Sequence, residues 1–174
     1  MDLSQLGYSA AKATPPSTPG QEPPAVALRL VTTYDDRTRR VDIALAGSES
    51  TAVEDGVATT FPTEQLWPTI RELLPPVAQL RADPRGRPSP EVRAPGPGFV
   101  EDCRAFVALA TVVDERVSVR TWLATDEELW AVTPRSDGST DLRPAAEGAV
   151  ADLLVWDVTA ALEVLVTDAE RRAS

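Results

Sequence analysis

From Val26 onward apolar and polar residues alternate in short runs, the period of a strand with one face buried. Val26, Leu28 and Leu30 alternate with Ala27, Arg29 and Val31 up to the turn-forming Asp35-Asp36-Arg37-Thr38. Val41, Ile43 and Leu45 then alternate with Asp42 and Ala44 until Gly47-Ser48. This predicts two antiparallel strands joined by a short loop. Glu54-Asp55-Gly56 marks a further turn, with Val57 to Phe61 as a third strand. The period then changes, because Leu66, Ile70, Leu73 and Leu74 fall at helical spacing within residues 63–74, an amphipathic helix stopped by Pro75-Pro76. Pro68 sits where a helix capped at Thr63 needs an N–H. Either the first turn is irregular or the helix proper starts near Pro68.

A second patterned region repeats this order. Phe106 to Val113 is apolar and β-branched, Asp114-Glu115 turns, and Val117, Val119, Thr121 and Leu123 alternate with Ser118, Arg120 and Trp122. After Asp126-Glu127 comes Leu129 to Thr133, and Pro134 to Gly138 form a loop, which predicts a three-stranded meander. From about Pro144, a residue suited to a first helical position, a long helix is expected, with Val150, Leu153, Leu154, Val158, Ala161, Leu162, Leu165 and Val166 along one stripe.

The flanking segments lack such periods. Residues 1–25 are rich in Ala, Ser, Thr and Pro and read as a disordered arm, an unstructured tail, with a short docking segment at Leu3, Leu6 and Tyr8 as the alternative. Residues 81–99 carry Pro84, Pro88, Pro90, Pro95 and Pro97, the composition of a linker. The expected fold is α+β: two antiparallel β-meander-plus-helix halves, 26–80 and 100–174, packed as a two-layer sandwich. Leu66-Trp67 in the first half matches Val155-Trp156 in the second, so the halves read as a weak repeat related by a pseudo-two-fold.

Composition narrows the function. The net charge of −10 works against binding to phosphate backbones or anionic membranes, so neither nucleic acid nor membrane is an expected partner. Basic residues are almost all Arg, with Lys12 the single lysine, and Asn is absent, a usage associated with GC-rich actinobacterial genomes. Cys103, the lone cysteine, has no intramolecular partner, as suits a reducing compartment. With no signal-like start and no apolar run of membrane-spanning length, a cytoplasmic location is expected.

Histidine is absent, which removes the commonest general base, the Ser-His and Cys-His dyads and most zinc sites. Glu101 and Asp102 should raise the Cys103 thiol pKa and keep it inert. Carboxylates cluster at Asp35-Asp36, Glu54-Asp55 and Asp126-Glu127-Glu128, all at expected turns where acidic residues are common without any catalytic or metal role. No enzyme activity, cofactor or metal is expected; a cation-dependent hydrolase built on these carboxylates is the competing class.

Four tryptophans against three Phe and two Tyr are the positive oddity. If Val117, Val119, Thr121 and Leu123 point inward, Trp122 leans outward, with Arg120 beside it on the same strand face and Trp130 opening the next strand. Exposed Trp and Arg dominate interface energetics, so Trp122, Trp130 and Arg120 are the expected partner-binding residues, and Trp67 and Trp156 are expected to pack in the core. The strand ending in Arg120-Thr121-Trp122-Leu123, the following Leu129-Trp130-Ala131-Val132-Thr133-Pro134 and the terminal helix look like the EspG-type chaperones of actinobacterial type VII (ESX) secretion. That resemblance implies a cytosolic, non-enzymatic protein of two quasi-repeated sheet-and-helix halves that holds a helical secretion substrate. The function expected is therefore a protein-binding module, specifically a chaperone or accessory protein for a secretion substrate. The alternative is a structural or assembly subunit of a homo- or hetero-oligomeric bacterial complex.

Overall fold

The computed structural model describes residues 26–84, 93–96, 99–113, 116–158 and 162. The expected arm before residue 26, the middle of the expected linker and the far end of the expected long helix, with Ala161, Leu165 and Val166, lie outside the described residues. An antiparallel sheet of eight strands organises the chain, in the order β4-β3-β2-β1-β5-β6-β7-β8. The strands are β1 (Val26–Tyr34), β2 (Arg37–Ala46), β3 (Glu49–Glu54), β4 (Val57–Pro62), β5 (Ala105–Val113), β6 (Arg116–Ala124), β7 (Leu129–Pro134) and β8 (Thr140–Ala145). The first four are consecutive hairpins, the last four likewise, and β1 pairs with β5 at the centre.

Turn chemistry sets the hairpins. Asp35 and Asp36, with φ of 47° and 60°, join the paired Tyr34 and Arg37, and Asp55 and Gly56, with φ of 49° and 80°, join Glu54 and Val57. Two left-handed residues make the type I′ connection whose twist matches the flanking strands, and aspartate tolerates that region better than most residues.

Strand alternation buries one face of the sheet. Leu28, Leu30, Ile43, Leu45, Val107 and Leu109 are at most 2% exposed. They share a core with Leu66, Trp67 and Ile70 of α1 (Leu66–Leu73), Leu80 of α2 (Ala78–Arg81) and Val150 of α4 (Ala149–Asp152). Helix α4 winds on in π-type geometry over Leu153–Val158 and adds Leu154 and Val158, and Leu162 is buried in the same core. Each such apolar side chain contributes roughly 1.5–3 kcal/mol. Gly148, at φ 86°, caps α4, and a Cβ there would lie 2.5 Å from the Asp83 carbonyl oxygen, so only glycine lets α4 close on the end of α2.

Two expectations need correction. Each half has four strands rather than three. Residues 49–54 form β3, whose inward side chains are the small Ser50 and Ala52, and residues 140–145 form β8 at the sheet edge, where Pro144 pairs opposite Trp130 instead of opening a helix. An edge position tolerates the missing N–H. The helix follows at Ala149, after Gly148. Of the two forms expected for the first helix, the irregular first turn is the one present: a 3₁₀ turn over Thr63–Gln65 precedes α1, so Pro68 falls among the early N–H groups that have no intrahelical acceptor. Among the described residues no helix is long and apolar enough to cross a membrane.

Candidate partner-binding site

Register decides where the tryptophans go. Trp122 pairs with Val107 and Arg120 with Leu109, so both residues project from the face that carries the core, while Val117, Val119, Thr121 and Leu123 project from the opposite face. The sequence expectation had these faces reversed. Trp122 is accordingly 5% exposed, whereas Val117 is 65% exposed.

Trp130 lies on that opposite face and is fully buried. The short helix α3 (Phe99–Asp102) covers it, with the Phe99 ring centroid 5.3 Å away and tilted by 60°. Arg93 stacks its guanidinium 5.3 Å from the same indole centroid. The Trp130 Nε1 donates to Glu128 Oε2 at 2.9 Å, and Arg93 also donates to Glu128. The bond from Arg93 first, and that from Trp130 second, hold the Glu128 carboxyl below the usual carboxylate range. The expected trio of Arg120, Trp122 and Trp130 is therefore split between the two faces, with Trp130 sealed under the linker.

Arg120 and Trp122 meet another element instead. The terminal helix passes beside β6, and Ala149, Asp152, Leu153 and Trp156 face the two strand residues across a shallow groove of about 310 Å³. The sequence reading placed Trp156 in the core, yet it is 65% exposed. Its position was legible in the helical stripe, because Val150, Leu154, Val158 and Leu162 are buried at four-residue intervals and a residue two after Leu154 points away from that line. Arg120 has no ion-pair partner among the described residues. The groove thus offers one open indole and a buried one, an aliphatic side chain, and a cation opposite an aspartate.

A second, wider cavity of about 540 Å³ lies between α3 and the β6–β7 loop, with Glu101, Asp102, Asp126, Glu127 and Glu128 around Arg104. Thr125 Oγ1 orders this loop by accepting the Glu127 and Glu128 N–H groups at 3.2 and 3.0 Å. Glu128 is held by Arg93 and Trp130, and Asp126 lies 3.4 Å from Arg104. Among the described residues no three His, Cys, Asp or Glu side chains converge as a metal site. Burial, and then Asp102, push the Cys103 thiol up from its ordinary value, so it is a poor nucleophile at neutral pH.

No protein-family model, no curated protein and no solved structure matches the chain.

Proposed function

We propose that this protein is a non-catalytic protein-binding module that holds a segment of another protein in the groove between β6 and the terminal helix. The observation that carries this reading is Trp156, an indole left 65% exposed beside Arg120 and Trp122. Trp and Arg are the residue types on which interface energy concentrates, since they supply rigid area and multiple donors. In a chain of net charge −10, Arg120 is a local cation suited to a carboxylate on the incoming segment, whose apolar side chains would meet Trp156 and Leu153. The narrower form, a cytoplasmic chaperone or accessory protein for a helical secretion substrate, draws its support from the resemblance of β6, β7 and the terminal helix to the type VII secretion chaperones. The finer fold reading goes with it. A sheet order that runs outward from an antiparallel β1–β5 pair, with a helix after each set of four strands, supports two repeats about a pseudo-two-fold, layered with their helices on one face.

Affinity capture from the native host at moderate salt, followed by titration of the recovered partner, tests the proposal. Trp156→Ala and Arg120→Glu should each weaken capture by about 2 kcal/mol or more with melting unchanged. Recovery of no stoichiometric partner, or variants that both bind as tightly as wild type, ends it.

A further inference from the structure

The two outer strands of the sheet are built differently. At one edge β8 carries Asp141, Arg143 and Pro144, the charges and proline with which proteins blunt an edge against further pairing. At the other edge β4 reads Val57-Ala58-Thr59-Thr60-Phe61, with no charge and no proline before Pro62. Residues 57–60 are all exposed, and Val57 is 68% exposed.

The hairpin fixes which backbone groups of β4 remain free. Because Asp55 and Gly56 form a two-residue loop, Glu54 and Val57 are the pair that exchanges both hydrogen bonds, and this alternates along the ladder. Val57, Thr59 and Phe61 therefore bond to β3, while Ala58 and Thr60 direct N–H and C=O away from the sheet. Pro62 ends the row of outward donors.

This short row is complementary to itself. If a second β4 lies antiparallel with Thr59 opposite Thr59, Ala58 of each copy meets Thr60 of the other, and all four outward N–H groups find carbonyls. The same register brings the exposed Val57 over Phe61 of the second copy, in the closer-spaced type of cross-strand pair. We propose that β4 is a homodimerisation edge, joining two copies into one continuous sixteen-stranded sheet about a two-fold axis through Thr59. A contact of one short strand buries less than a standard interface, and Asp55 comes near Glu64 of the second copy. The association is therefore weak, with a Kd on the order of tens of micromolar.

Sedimentation or light scattering of the full chain across concentration provides the test. Mass should rise from the 18.7 kDa of one chain toward twice that value, and Thr59→Lys, which sets like charges face to face on the axis, should stay at one-chain mass with its melting temperature unchanged. Thr59→Cys in a Cys103→Ser background should form a disulfide-linked dimer on mild oxidation, and Thr140→Cys on the β8 edge should not. A wild-type chain that stays monomeric to several hundred micromolar overturns the proposal, as does a Thr59→Lys variant that still dimerises. Equal cross-linking from both edges does so as well.

Discussion

The helix of each half carries a tryptophan after an apolar residue, Leu66-Trp67 and Val155-Trp156, and the two indoles meet opposite surroundings. Trp67 is 9% exposed, packs in the core with Ile70, and donates from Nε1 to Asp83 Oδ1 at 3.1 Å. Asp83 also receives Arg71 at 3.2 Å, so the start of the linker is tied down over the first helix. Trp156 lies off the buried stripe of its helix and stands 65% exposed at the groove. The second half closes its core without this ring, using Val150, Leu154, Val158 and Leu162. The lesson is that a tryptophan following an apolar residue on a helix is a packing requirement in one place and a surface feature in the other. The phase of the apolar stripe, rather than the residue type, tells them apart.

The comparison breaks most directly by truncating both rings. Trp67→Ala should destabilise by about 3–5 kcal/mol in denaturant melts, while Trp156→Ala should stay within roughly 0.5 kcal/mol of wild type. Equal losses would mean that Trp156 belongs to the core. Trp130 sharpens the contrast inside the second half. Fully buried beneath Phe99 and Arg93, it should cost about 3–5 kcal/mol on truncation to Ala, and the folded fraction should bind partner as tightly as wild type. A selective loss of binding would return Trp130 to the site.

The seam between the halves comes next in size. Gly148→Ala should destabilise by about 1–3 kcal/mol, from a strained φ and a contact with the Asp83 carbonyl. An unchanged melt would show that α4 does not lean on α2 there. The smallest effect concerns acid stability. Glu54 in the first half and Glu128 in the second both have carboxyl pKa values lowered chiefly by an arginine hydrogen bond. A folded-state pKa below the unfolded value adds stability that is fully present above the unfolded pKa, near 4.3, and is lost as pH falls through the folded pKa. Each side chain is about a third exposed, so Glu54→Gln and Glu128→Gln should each cost up to about 1 kcal/mol at pH 7. The difference from wild type should vanish as the pH falls well below 4. A gap that persists at low pH would assign the effect to packing instead.

Much of this architecture was legible where alternation was strong and one-sided. β1 and β2 put Val, Leu and Ile on one face and Arg and Asp on the other, so both strands and their face followed from pattern. β3 escaped because its inward positions are Ser50 and Ala52, the former bonded to Thr63 at 2.8 Å, and small residues give alternation no amplitude. β8 escaped because a proline reads as a helix start unless the strand is known to be an edge. In β6 the face with Val117, Val119 and Leu123 is the more apolar and the core side carries Ser118 and Arg120 beside Trp122, so pattern alone favoured the wrong one. The groove side wins because it faces the helices, which is tertiary information. Arg120 and Trp122 were recognisable as residue types, but their neighbour Trp156 required the stripe of its helix to be followed through Leu162.

The central ladder also shapes how the chain reaches this state. Every other ladder in the sheet is a hairpin between consecutive strands, formed on a microsecond scale once its turn closes. The β1–β5 ladder instead pairs Tyr34 with Ala105 and Val26 with Val113, so it waits until a long intervening stretch of chain has closed. Assembly is then paced by the meeting of two partly formed meanders rather than by any hairpin. Truncating Leu30 or Leu109, paired across that ladder, should slow refolding, whereas truncating Phe61 near the edge should mainly speed unfolding.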